Sequence, residues 1–96
     1  MIQSFGDIAT EHVFYEEDTK RARTIPSTLW PAVRRKLHYV HAATALHDLR
    51  VPPGNRLEAL KGDHRGYHAI RINDQWRIVF RWQRDGVDAV EVTDDH

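Results

Sequence analysis

The chain contains no cysteine, and that absence alone removes disulfides, thiolate nucleophiles and thiolate metal sites. A long hydrophobic run is also missing. The first residues, MIQSFGDIATEHVFYEED, reach an acid at Asp7 before any apolar core develops. They are therefore expected to be neither a secretion signal nor a membrane anchor, and the cytoplasm is the expected location. With only five glycines and four prolines there is no linker, repeat or low-complexity tract. No HExxH or comparable ligand spacing occurs, so neither a metal nor another cofactor is expected. The two ends lack bases: residues 1–19 and residues 85–96 each carry five acids and no Lys or Arg.

What is present fits one soluble globular domain spanning residues 1–96. A chain of 96 residues with 41% hydrophobic and 29% charged content can bury a single modest core. Its net charge of zero is an average of opposites. Residues 20–56 hold eight Lys/Arg against one Asp, and residues 57–84 hold six against three acids. A basic middle between acidic ends suggests a local anion-binding surface and nominates nucleic acid as a partner. Mutual neutralisation of the blocks within the fold accounts for the same composition equally well.

Periodicity assigns the elements. Ile2 to Phe5 reads as a short strand and Ala9 to Glu17 as a short helix. The main helix starts after Pro26, with Ser27 or Thr28 as N-cap and Pro31 in its first turn. Leu29, Val33, Leu37, Val40 and Ala43 form its apolar stripe, leaving Arg34, Arg35 and His38 toward solvent. A helical turn over Ala45 to Leu49 follows, and Pro52-Pro53-Gly54-Asn55 ends it. From Leu57 the period becomes two. Leu57 to Lys61, Tyr67 to Ile72, Trp76 to Trp82 and Val87 to Thr93 are expected as consecutive antiparallel strands.

Burial then selects the register. A three-residue loop at Asn73 to Gln75 pairs Ile72 with Trp76, Ile70 with Ile78 and His68 with Phe80, whereas a two-residue loop scrambles the faces. The opposite face collects Tyr67, Arg71, Arg77, Val79 and Arg81. A similar loop at Arg84 to Gly86 sets Phe80 by Val90, Ile78 by Val92 and Arg77 by Thr93, with Asp95 further along. The predicted architecture is α+β, N-terminal helices packed on one face of a small, mainly antiparallel twisted sheet.

Arg71 and Arg77 are cross-strand neighbours in this register, and facing like charges need an acid or an anion between them. Glu58, Glu91 or Asp95 is as suitable a counter-charge as a phosphate. Lys61, before the GDHRG turn, is a further cation for the same place. His68 falls on the buried face, whereas His96 follows Thr93-Asp94-Asp95 off the sheet.

NRLEALKGD, the Gly66-Tyr67 step, HAIRINDQWRIVF and the terminal acidic-acidic-His together resemble a HigB-type toxin of the RelE/ParE toxin–antitoxin superfamily. The resemblance implies a RelE-like fold and a ribosome-dependent mRNA endonuclease (an mRNA interferase) acting in the ribosomal A site. It implies a HigA-type helix-turn-helix antitoxin as partner, with operator DNA met only through that antitoxin and no membrane contact. The implied chemistry is metal-free: a 2′-OH attacks the adjacent phosphate, a base takes its proton, an acid protonates the departing 5′-oxygen, and cations steady the phosphorane.

Carried over residue by residue, the resemblance nominates Glu58, Lys61, Arg77, Asp94 and His96 as catalytic. It nominates Arg71, Arg34, Arg35, Arg65 and Asp95 for mRNA or ribosome binding. Glu58 stands where some members have histidine, and would serve as base with His96 as acid. Asp95 replaces a tyrosine common in the family, which removes an aromatic platform for a base and places a negative charge near phosphate. The base's role then also falls open to Asp94 or Asp95. Two other readings stand beside the nuclease: a ParE-like gyrase poison, and a degenerate toxin that only binds its antitoxin.

Overall fold

The structure is a computed structural model describing residues 1–94; Asp95 and His96 lie outside the described residues. In chain order it contains α1 (Ile8–Phe14), α2 (Trp30–Ala42), β1 (Glu58–Ala59), β2 (Tyr67–Arg71), β3 (Trp76–Gln83) and β4 (Gly86–Asp94). The strands form one sheet in the order β1-β2-β3-β4, each pair antiparallel. The helices cover one face, where Val13, Val33, Leu37 and Val40 pack with Ile70, Ile78, Phe80, Val90 and Val92. The fold is therefore α+β, as the periodicity indicated.

Local chemistry fixes the helix ends. The Asp7 carboxylate accepts from the Thr10 amide at 2.9 Å and caps α1. The helix stops at Phe14 rather than continuing to Glu17. Glu16 turns left-handed (φ 60°), the Glu17 amide donates to His12 O, and the Glu16 amide donates to Val13 O, a Schellman termination. The expected Ser27 or Thr28 cap is absent: Ser27–Leu29 is a 3-10 turn, and α2 begins at Trp30 without a side-chain cap. Pro31 does occupy its first turn. The turn expected at Ala45 is 3-10 over Leu46–Arg50, organised by the Asp48 carboxylate, which accepts from the Thr44 and Ala45 amides.

The β2–β3 register is the expected one: His68 faces Phe80, Ile70 faces Ile78 and Arg71 faces Arg77. Asn73 Oδ1 accepts from the Gln75 and Trp76 amides and locks the loop as an Asx turn. The β3–β4 turn departs from expectation. Gln83 pairs with Gly86, so its loop is the two residues Arg84 and Asp85. A bulge then intervenes between Val79 and Arg81, with Ala89 at φ 52° on the facing strand. One residue lost in the turn is regained at the bulge, so Arg77 still faces Thr93 and Ile78 still faces Val92.

Strand β1 is only two residues long, shorter than the expected Leu57 to Lys61, although Leu60 still donates to Tyr67 O. Ile2 to Phe5 forms no strand but two isolated parallel bridges to Val87 and Val90. That segment, with Ser4 Oγ accepting from Ala89 N and Thr10 Oγ1 accepting from Val92 N, closes the outer edge of β4. Among the described residues no helix is long and apolar enough to cross a membrane.

One polar contact in the interior was not foreseen. Lys36, on α2 and only 7% exposed, donates from Nζ to Asn55 Oδ1 at 2.7 Å; Asn55 is fully buried. Asn55 Nδ2 donates in turn to Leu49 O and Val51 O. Burial, and secondarily Arg35, hold the Lys36 ammonium pKa below the ordinary lysine value.

The Lys36–Asn55 contacts and the left-handed Ala89 generate three predictions. Asn55→Ala leaves the buried Lys36 ammonium and the Leu49 and Val51 carbonyls without this partner and is expected to cost about 1–3 kcal/mol in urea unfolding. Because the folded state sheds the Lys36 proton at lower pH than the unfolded chain, wild-type stability should rise from the lowered folded pKa toward the ordinary one. Lys36→Met should lack that rise; an unchanged pH profile would remove Lys36 as its source. Ala89→Gly, which relieves a left-handed alanine, is expected to stabilise by about 1 kcal/mol, read as a raised Tm.

Candidate active site

The face of the sheet away from the helices is lined by charge. The 3-10 turn Pro53–Asn55 ends with Arg56 left-handed (φ 47°), and two residues later Glu58 pairs with Ala69. Ala69 in turn faces Val79 on β3. Its small side chain leaves a low point between larger neighbours, yet Ala69 is only 1% exposed, so those neighbours close over it. The result is a trough of about 170 Å³ whose polar lining is Arg56, Glu58, Arg71, Asn73 and Arg77, with Trp76 at one side.

Within it, Arg77 Nη1 donates to Glu58 Oε1 at 3.3 Å. Arg71, directly across from Arg77, approaches the exposed Asp74 only to 3.8 Å. The repulsion between Arg71 and Arg77 is therefore met by Glu58, one of the counter-charges the sequence offered, and by the loop. Among the described residues, the lining holds three guanidiniums and one carboxylate. Arginine forks suit the oxygens of a phosphate, and a carboxylate held by one arginine can accept a proton beside it.

The other charges on this face are differently engaged. Arg81 binds Asp88 with both nitrogens, at 2.9 and 3.0 Å. That contact raises the Arg81 pKa and holds the Asp88 carboxyl below its usual range. Glu91, opposite Val79, has its carboxyl pKa pushed up by burial and then by Asp7.

The structure brings only some of the nominated residues together. Glu58, Arg71 and Arg77 meet in the trough. Lys61 and Arg65 are exposed and flank the Gly62–His64 turn, at the Tyr67 end of β2, with the trough toward the Arg71 end. Arg34 and Arg35 lie on α2, behind the sheet. Arg34 is not turned freely to solvent as expected: its Nε donates to Val13 O at 3.0 Å, and its guanidinium sits 5.8 Å from the Trp30 ring. Asp94 faces Trp76 in the register and accepts from Gln75 Nε2 at 3.0 Å. Asp95 and His96 lie outside the described residues. No cluster of three or more His, Asp or Glu side chains poised to hold a metal occurs among the described residues.

Arg56 and Asn73 were not singled out from sequence. Arg56 stands inside the NRLEALKGD motif, but its position depends on the left-handed turn after Asn55, which no periodicity signals. Asn73 was read only as a loop residue.

Residues 3–96 match the model of a RelE-like toxin of type II toxin–antitoxin system HigB. Toxin HigB-1 of Vibrio cholerae is 49% identical over 83 residues, covering 86% of this chain and 85% of its own length. An uncharacterized protein of Haemophilus influenzae is 34% identical over 74 residues, covering 77% of this chain and 72% of its own. A solved structure, the YoeB/ParE toxin from Agrobacterium tumefaciens, aligns over 96% of this chain and 91% of its own with a TM-score of 0.49 at 15% identity.

The trough makes a direct prediction about anions. Inorganic phosphate titrated into the protein should perturb the Nε–Hε resonances of Arg71 and Arg77, and Arg71→Ala should weaken binding several-fold. Glu58→Gln, which removes the competing carboxylate charge, should tighten it. Equal affinities across the three proteins would show that these side chains do not form the anion site.

Proposed function

This chain belongs to the HigB family of RelE-like toxins from type II toxin–antitoxin systems, and from that premise we propose that it is a ribosome-dependent mRNA endonuclease. Membership implies an antitoxin partner; a HigA-type helix-turn-helix protein that carries the pair to operator DNA is the form we propose for it. The observation that carries the enzymatic reading is the Glu58–Arg77 contact of 3.3 Å at an open trough flanked by Arg56 and Arg71. A carboxylate among guanidiniums on an exposed face is what a metal-free ribonuclease needs: a base beside a cradle for the phosphate.

In the proposed reaction the scissile phosphate enters the trough, and Arg56, Arg71 and Arg77 bind its non-bridging oxygens. Glu58 accepts the 2′-hydroxyl proton as that oxygen bonds to phosphorus. The bond to the 5′-oxygen breaks, and His96 donates the proton that the leaving oxygen takes. The products are a 2′,3′-cyclic phosphate and a free 5′-hydroxyl, so atoms and charge balance. Lys61, Arg65, Arg34, Arg35 and Asp95 are assigned to the wider mRNA and ribosome contact, and Asp94 is the alternative base. Glu58 is exposed and Arg77 half-buried, and a phosphate entering the trough competes with the Glu58 carboxylate for the Arg77 guanidinium. Cytoplasmic action follows from the ribosomal substrate.

Primer extension on an mRNA incubated with ribosomes and the protein tests this reading. Cuts are expected only when ribosomes are present. Arg77→Ala and deletion of His96 should each lower cleavage by about 10²-fold or more, with thermal melts unchanged. Cleavage without ribosomes, or none with them, would overturn the proposal. Accumulation of gyrase cleavage complexes would replace it with the ParE-like reading.

A further inference from the structure

Around the β1 edge from the arginine trough lies a second and larger cleft, of about 340 Å³, lined by Leu46, His47, Arg50, Leu57, Glu58 and His68. Glu58 lines both clefts, so a group held in one lies next to whatever occupies the other. The second cleft differs in chemistry from the first. It offers two leucines, two imidazoles and one guanidinium, a combination of apolar surface and flat π or cationic groups.

Three details bear on its occupant. The His68 ring stacks on Phe80 with a 19° tilt and centroids 6.2 Å apart, which fixes its plane. Its Nδ1 is buried and has no hydrogen-bond partner among the described residues, while the ring itself lines the cleft. Arg50 is exposed and pairs with no acid among the described residues. The adjacent Asp48 is committed to the Thr44 and Ala45 amides and to Thr44 Oγ1, and these contacts hold its carboxyl pKa low.

We propose that this cleft is a nucleobase subsite, which takes the base flanking the phosphate held in the arginine trough. Single-stranded RNA is read by splaying a base onto aromatic, imidazole or guanidinium planes and bonding its edge. Leu46 and Leu57 supply apolar contact, His47 and Arg50 supply flat partners, and the His68 ring closes the inner side of the cleft. The inference rests on the nuclease reading for its substrate, but it is a statement about binding and can be tested without cleavage.

The probes are inorganic phosphate, ribose 5-phosphate and the four nucleoside 5′-monophosphates, titrated into the full-length protein while the histidine ring 1H–13C signals are followed. Phosphate and ribose 5-phosphate should leave the His47 and His68 signals in place. At least one nucleotide should move both and bind about ten-fold more tightly than ribose 5-phosphate, which corresponds to about 1.4 kcal/mol and falls within the range for stacking one base. His68→Ala should reduce that nucleotide to the affinity of ribose 5-phosphate. Arg50→Ala, at an exposed position that does not endanger folding, should do so in part. Nucleotides that bind no better than ribose 5-phosphate, with His68 unmoved, would overturn the proposal, as would failure of every probe to bind. Base-dependent binding with His68 shifts, in a protein that cuts no mRNA on ribosomes, would sustain the subsite and sink the endonuclease reading.

Discussion

The buried contact between Lys36 and Asn55 is the constraint on which the placement of the trough depends. Lys36 Nζ reaches Asn55 Oδ1 at 2.7 Å, and the Asn55 amide donates onward to Leu49 O and Val51 O. One side chain thus gathers α2 and the chain crossing from the helix layer to the sheet edge. A buried lysine or amide left without its partner is costly, so the two groups hold each other in place. The next residue is Arg56 in its left-handed turn, and Glu58 follows opposite Ala69. The carboxylate of the trough is therefore set from behind the sheet. Arg71 and Arg77 are set independently, by the hairpin whose loop Asn73 locks. The 3.3 Å contact between Glu58 and Arg77 is where these two lines of placement meet.

Charge pairs on the open face are not of one kind, and their differences follow position. Away from the trough, Arg81 and Asp88 make a bidentate contact at 2.9 and 3.0 Å, the geometry that gives an arginine–carboxylate pair its strength. At the trough, Arg77 Nη1 donates to Glu58 at 3.3 Å, and Arg71 comes no nearer than 3.8 Å to Asp74. A phosphate competing for guanidinium nitrogens meets less opposition at Arg71 than at Arg81. Neutralisation within the fold, which the zero net charge suggested, is thus tight at Arg81 and loose at Arg71.

The hairpins were legible because burial admits only one parity. Ile70, Ile78 and Phe80 must share a face, and that requirement alone put Arg71 across from Arg77. The same requirement gave the register between Ile78 and Val92 correctly while concealing how it arises. A two-residue loop plus a bulge at Ala89 satisfies the parity as well as the expected three-residue loop did. Backbone specials of this kind leave no mark in hydrophobic periodicity; Ala89, Glu16 and Arg56 are all left-handed, and none is the glycine or asparagine that announces such a turn. Lys36 was hidden for the opposite reason. Its residue type argues for solvent, and only the fully buried Asn55, distant in sequence, explains its position. The trough was consequently half readable: the strand-borne arginines and Glu58 came from pattern, whereas Arg56 required the tertiary turn.

The sheet's two edges explain why both clefts meet at Glu58. The outer edge of β4 is closed by the N-terminal segment, by Ser4 and by Thr10, which take its amides in turn. The β1 edge is left open, but a two-residue strand offers too little unpaired backbone to recruit another strand. An edge that is accessible and yet poor at β-pairing suits a ligand that does not use a peptide ladder. A sugar–phosphate chain folded around that edge would set its phosphate among Arg56, Arg71 and Arg77 on one side. Its base would fall among Leu57, His47 and His68 on the other. Glu58, on the edge strand itself, therefore lines both clefts.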